Sequence, residues 1–239
     1  TRSFHVTGVQ TCALPICATD EGLDPIAYCD RMEAIFRASW RSLDISFDDF
    51  IRTSQPRHRA GVTEIARRLF ARGDIYEGVY EGWYCVSCEE FKPEKSLVDG
   101  LCPVHRTKPD WIKEKNYFFK LSKYQQPLLE HYAAHPTFVE PESRRNEMLS
   151  LLKGGLEDIS VSRAGQAWGI PLPFDAGSVV YVWYDALINY AAAVGYGTDP
   201  ALFDAWWQQP GQPRRVTHLR SEEHTSELQS RETISYAVF

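Results

Sequence analysis

At 239 residues, with 44% hydrophobic and 13% aromatic content, the chain can bury the core of one or two globular domains, which excludes a disordered tail. Its formal charge of -6 excludes a protein that coats nucleic acid by charge alone, although an acidic protein can still be basic locally. No apolar run of about 18 residues occurs, so no helix is expected to cross a membrane. Of six cysteines, Cys85, Cys88 and Cys102 share one short segment, which points to metal ligation in a reducing compartment, and hence the cytoplasm, rather than a disulfide framework.

The two ends read as non-native. RSEEHTSELQS (Arg220 to Ser230) back-translates to a common sequencing-library adapter, and VTGVQTCALPI (Val6 to Ile16) back-translates to the opposite strand of the same adapter. One adapter in two orientations explains both ends. Residues 1–17 and 220–239 are therefore expected to be adapter-derived, and His5, Cys12 and His224 are set aside as candidate ligands or catalysts.

Within the remaining stretch, Asp24-Pro25 supplies a capping residue and a proline at the first helical position. Tyr28, Met32, Ile35, Phe36 and Trp40 then recur at helical spacing, with Cys29 expected as a small buried residue of the same helix. A second helix is expected from Arg59 to Arg72, burying Val62, Ile65, Leu69 and Phe70, with Gly73 ending it in a left-handed conformation. Aromatic and β-branched residues from Ile75 to Tyr84 suit a strand, and Tyr117 to Phe119 suggest another short one. Helices should follow from Lys123, burying Tyr124, Leu128, Leu129 and Tyr132 and closing before Pro136, and from Arg144 to Lys153.

The last stretch changes character. Val179 to Trp183 form a continuous apolar run, expected as a buried parallel strand, after which Asp185 would cap a helix with Leu187, Tyr190, Ala191 and Val194 facing inward. Ligands bind at the carboxyl ends of such strands, which would place Trp183 to Tyr190 beside a small-molecule pocket.

Cys85-x2-Cys88 and Cys102-x2-His105 are two ligand pairs with the spacing that lets two tight turns present three thiolates and an imidazole to one tetrahedral ion. Four protein ligands leave no position for water, so the chemistry points to a structural zinc ion.

The run YEGWYCVSCEEF (Tyr80 to Phe91), CPVH (Cys102 to His105) and KNYFFKLSKYQ (Lys115 to Gln125) resembles the zinc-knuckle connective peptide of bacterial methionyl-tRNA synthetases. SFDDFIRTS (Ser46 to Ser54) and GDIYEGVYEGWYC (Gly73 to Cys85) match blocks that precede it; RRNEMLSLLKGGLEDISVSR (Arg144 to Arg163), WGIPLP (Trp168 to Pro173) and VVYVWYDALINY (Val179 to Tyr190) match blocks that follow, in the family's order. The resemblance implies an α/β chain: a partial class I Rossmann catalytic domain with an inserted zinc-knuckle domain. Residues 18–78 would be part of the first Rossmann half, 79–143 the connective peptide, and 144–219 the start of the second half.

It further implies an enzyme that activates L-methionine with ATP and Mg2+ and transfers the methionyl group to initiator and elongator methionine tRNA. Trp183, Ala186, Leu187 and Tyr190 would line the methionine pocket, a thioether being favoured against aromatic rings, while Asp158 and Arg163 would support the same cleft. The His-Ile-Gly-His-type and Lys-Met-Ser-Lys-Ser-type motifs that handle ATP in this family are not found in the chain, so the isolated chain is expected to be inactive. Two other readings fit parts of the sequence: a different class I synthetase with a zinc-bearing insertion, and a zinc-dependent nucleic-acid-binding module.

Overall fold

The computed structural model describes residues 5–6 and 18–207, apart from 88, 89, 93, 166 and 167, and leaves aside the side chains of 5, 6, 80, 90 and 91. Most of the two expected adapter segments therefore lies outside the described residues. His5–Val6 (β1) run parallel to Phe50–Ile51 (β2).

Helix α1 (Pro25–Ser42) starts as its sequence dictates: Asp24 is extended and its carboxylate accepts from the Ile26 N–H at 2.9 Å. Its apolar residues have the helical period but find little to cover them. None is buried, Cys29 included, and Ile35 is 51% exposed. Trp40 is the best engaged among the described contacts, its ring 5.4 Å from that of Phe47 and 5.2 Å from that of Phe50. Periodicity reports which face is apolar and not whether a neighbour covers it.

Helix α2 (Pro56–Ala71) begins three residues before the expected start, because Pro56 after the extended Gln55 is itself a first-turn residue. It buries His58, Gly61, Val62, Ile65, Ala66 and Leu69. Phe70, expected inside, is 42% exposed and stacks on Phe174 with ring centroids 3.9 Å apart. Gly73 at φ +70 closes the helix, its N–H reaching the Phe70 carbonyl and that of Asp74 the Leu69 carbonyl, both at 2.9 Å.

β3 (Ile75–Cys85) and β5 (Asp110–Phe119) form a long antiparallel ribbon, in register from Ile75 opposite Phe119 to Tyr84 opposite Asp110. The ribbon is roughly 30 Å long. At its base Ile75, Tyr117, Phe118 and Phe119 are buried, whereas near its tip Trp111 is 55% exposed and meets Trp83 edge-on. β4 (Glu90–Lys92) flanks β3 at the tip and β6 (Ile159–Ser160) flanks β5 at the base, giving the order β4-β3-β5-β6. The second strand runs seven residues further back than the apolar signal at Tyr117 suggested, since its outer part is solvated on both faces and carries charge.

A 3-10 turn (Leu121–Tyr124) leads into α3 (Gln125–Ala134) and then α4 (Glu142–Gly154). Leu128 and Tyr132 of α3 and Met148 and Leu152 of α4 join Val62, Ile65, Leu69, Tyr184 and Ile188 in one hydrophobic core. No helix among the described residues is long and apolar enough to cross a membrane.

The second half departs from expectation in one element. β7 (Ser162–Ala164), β8 (Pro171–Leu172) and β9 (Asp175–Val180) form a sheet of order β7-β9-β8 in which both pairings are antiparallel. The strand ends at Val180, Tyr181 is extended at the cap position, and Val182–Ala193 is already helix α5. The run Val179 to Trp183 is thus half strand and half helix and not a parallel strand. A short apolar run buried on all sides carries no period to separate the two. Asp185 accordingly lies inside the first turn of α5 and does not cap it. Helix α6 (Pro200–Trp207) ends the described chain.

Candidate functional site

Helix α5 is almost wholly enclosed: Val182, Tyr184, Asp185, Ile188, Asn189, Ala191 and Ala192 are buried. The residues of its first nine positions that keep partial access to solvent are Trp183, Ala186, Leu187 and Tyr190. At roughly 100° per residue, these four fall within an arc of about 100° on the side away from Asp185. The four positions expected to line a pocket thus form one half-open apolar and aromatic stripe on a rigid element. Leu187 and Tyr190 belong to that stripe and not to the inward face expected for them, while Ala191 and Val194 are buried as expected.

The opposite face of α5 packs on α2. Gly61 allows the close approach, since a Cβ there would stand 3.1 Å from Ala192 Cβ and from the Tyr196 carbonyl. At the same interface His58 Nε2 lies 2.5 Å from Asp185 Oδ1, with His58 fully buried and Asp185 5% exposed. Sequence reading missed His58, because nothing in the chain marks a histidine in the first turn of a basic helix as the partner of a carboxylate 127 residues away.

Arg163 on β7 is 8% exposed, donates to the Ser162 carbonyl at 2.8 Å and to Ser160 Oγ at 3.1 Å, and lays its guanidinium 3.9 Å from the centre of the Tyr181 ring. It therefore braces the residue from which α5 starts. Asp158 is elsewhere: it accepts from Tyr76 Oη at 2.9 Å and from the Ser122 amide and hydroxyl at 3.2 and 2.6 Å, tying the ribbon base to the 3-10 turn. Burial raises its carboxyl, but these donors outweigh burial and hold it below the usual aspartate range.

A second cluster sits at the ribbon tip. The ligand atoms of Cys85, Cys102 and His105 all lie within 4.8 Å of one another, the two cysteines buried and the histidine exposed. Cys88, the fourth expected ligand, lies outside the described residues. A tight turn builds the cluster: Asp99 and Gly100 both have positive φ, and Val98 and Leu101 exchange backbone hydrogen bonds across them at 3.0 and 2.9 Å. Cys102 N–H then donates to the Thr107 carbonyl at 2.8 Å, and Thr107 Oγ1 stands 3.8 Å from Cys85 Sγ. Two soft donors and an imidazole so disposed suit a zinc ion.

A mixed helix–sheet core with a half-open apolar helix on one side and a cysteine-bearing ribbon projecting from it fits the catalytic domains of class I aminoacyl-tRNA synthetases. The chain belongs to the tRNA synthetases class I (M), whose family model matches residues 2–109 and 95–225. Among its relatives, the methionine–tRNA ligase of Thermosynechococcus vestitus is 51% identical over 196 residues, 80% of this chain and 37% of that protein. That of Thermotoga maritima is 45% identical over 210 residues, 85% of this chain and 33% of that protein. The solved structure of Mycobacterium tuberculosis methionyl-tRNA synthetase in complex with methionyl-adenylate superposes with a TM-score of 0.77 at 40% identity, covering 87% of this chain and 42% of that one. The chain thus spans about a third to two-fifths of the length of these relatives.

Proposed function

We propose that this chain is the part of a methionine–tRNA ligase that carries its methionine-binding helix and its zinc knuckle, in a protein that converts L-methionine and MgATP to methionyl-adenylate and esterifies methionine tRNA with it. The observation that carries the reading is the stripe of Trp183, Ala186, Leu187 and Tyr190 on α5, the partly open face of an otherwise buried helix. A pocket walled by an indole, a phenol and two aliphatic side chains suits a thioether better than a polar or charged amino acid. The relative solved with methionyl-adenylate supports the same choice.

In this reading Tyr190 and Trp183 would enclose the methionine side chain and exclude water, while Arg163 steadies the start of α5 through Tyr181. Asp158 would support the cleft by holding the ribbon base to the 3-10 turn. Zinc would be held by Cys85, Cys88, Cys102 and His105 and would fix the ribbon tip, with no part in the chemistry. The division into residues 18–78, 79–143 and 144–219 is supported by the projection of the ribbon from the core, although α3 packs back onto that core. Back-translation supports an adapter origin for residues 1–17 and 220–239, and the thiolate ligands suit the reducing cytoplasm.

Pyrophosphate exchange on the complete reading frame that contains this chain tests the assignment. Exchange is expected with methionine and not with valine, isoleucine, leucine or cysteine; exchange driven by valine and not by methionine would sink it. The 239 residues alone hold neither ATP-handling motif and are expected to give no exchange with any amino acid.

A further inference from the structure

We propose that His58 is a positioning residue of the methionine pocket: its contact with Asp185 fixes the rotation of α5 about its own axis, and so the direction in which Trp183, Ala186, Leu187 and Tyr190 face. The inference rests on the pocket assignment made above.

Three observations meet at this pair. First, His58 Nε2 and Asp185 Oδ1 are 2.5 Å apart with both side chains shut away from water, so neither partner has solvent as an alternative. Second, the contacts between α2 and α5 described beside it are apolar. Gly61 against Ala192 sets how closely the helices approach. Val62, Ile65 and Ile188 supply burial, which is itself non-directional. A hydrogen bond to a carboxylate is directional. Third, Asp185 lies about 150° around α5 from the middle of the pocket stripe, so the pair grips the helix from behind. A rotation of about 20° would swing side-chain ends on the far face by roughly 2 Å. Misplacement of about 1 Å can cost ~100-fold in an enzymatic step.

His58 Nδ1 is buried without a hydrogen-bond partner among the described residues, so the ring is anchored through Nε2, and an imidazole N–H facing a carboxylate oxygen donates to it. Asp185 sits in the first turn of α5, where the helix dipole favours a carboxylate.

The test uses the complete reading frame, with H58L, which keeps volume and loses the donor, H58Q, whose amide nitrogen can stand in for Nε2, and I65V as a control for mere loosening of α2. For H58L the methionine KM is expected to rise about 10-fold or more with the ATP KM within about twofold of the parent protein. H58Q should recover most of that loss, and I65V should leave the methionine KM within about twofold. If H58L does not fold, H58N serves instead, being polar but too short to reach Asp185. A methionine KM unchanged in the donor-less variant, equal rises in both KM values, or no rescue by H58Q would each overturn the proposal. A parent protein that does not activate methionine would overturn the pocket assignment and this inference together, whereas an active parent with an indifferent H58L would overturn the inference alone.

Discussion

Tyr124 donates its hydroxyl to one oxygen of the fully buried Asp74 at 2.9 Å, while Lys123 Nζ reaches the other oxygen at 2.5 Å. Arg72 stands 3.2 Å from the same carboxylate, and the Asp74 carbonyl accepts from the Lys120 N–H at 2.8 Å. One residue therefore ties together the end of α2, the start of the ribbon and the 3-10 turn. Burial raises the Asp74 carboxyl, but Lys123, Tyr124 and Arg72 together hold it below its usual range.

A carboxylate whose folded value is depressed stabilises the fold fully above its unfolded value, near 3.9, and loses that contribution as pH falls through the folded value. D74N should therefore destabilise the chain by about 1–3 kcal/mol at pH 7. The gap between variant and parent should narrow on acidification below about pH 4. Urea unfolding at pH 7 and pH 3 measures both, and a gap that stays constant would show that the charge of Asp74 contributes nothing.

The approach of α2 to α5 depends on two glycines for different reasons. At Gly61 the backbone is ordinary and the space is missing, while at Gly197, with φ +81, an added Cβ would also stand 2.8 Å from Gly61 Cα. G61A should lower stability by about 1–3 kcal/mol, and G197A by more, since strain adds to the clash. Gly154, in α4 with nothing within 4 Å of the added carbon, is the control: G154A should be neutral or stabilising by up to about 1 kcal/mol. Thermal unfolding of the three variants gives the order, and G61A melting with the parent would remove the close contact as a determinant of the interface.

Local signals were legible wherever the cause was local. The Asp24-Pro25 start of α1, the Gly73 stop of α2 and the cysteine pairs are each written in adjacent residues, and each appears in the structure apart from Cys88, which lies outside the described residues. Burial was less legible. Ile35 and Phe36 belong to a helical period like that of Val62 and Ile65, yet among the described residues only the second pair joins the core. The strand-to-helix switch at Tyr181 is hidden because Val179 to Tyr184 are apolar throughout; the pattern points to the region from Trp183 to Tyr190, and the resemblance singles out the four positions proposed for the pocket. The pairing of His58 with Asp185 is a product of tertiary packing alone.

The buried Tyr132 and the half-buried Tyr124 should answer oppositely to loss of the hydroxyl. Tyr132 is 1% exposed, its Oη has no hydrogen-bond partner among the described residues, and burial pushes its hydroxyl up to about 12. Y132F removes an unsatisfied polar atom and should leave stability unchanged or raise it by about 1 kcal/mol. Y124F removes the donor to Asp74 and should cost about 1 kcal/mol. Chemical denaturation of both variants decides the matter, and a destabilised Y132F would reveal a partner for its hydroxyl.

The ribbon tip should depend on metal while the core does not. Its side chains offer little apolar burial: Val86, Val98 and Val104 are 66%, 51% and 68% exposed. Cys85 and Cys102 are nonetheless 1% and 0% exposed, so two sulfur donors are shielded together at an otherwise open tip. A tetrahedral ion with bonds of about 2.3 Å to sulfur holds its donors roughly 4 Å apart, so ligand atoms within 4.8 Å of one another need little movement to close on it. The chain is expected to carry one zinc, which a strong chelator removes. Hydrogen exchange should then speed up over residues 85–110 and stay slow in α2 and α5, because those helices are held by the separate core around Ile65 and Ile188. C102S should lower zinc content and reproduce the chelated pattern. A chain that binds no zinc, or whose tip exchanges equally with and without it, would remove the knuckle from the structure's stabilising elements.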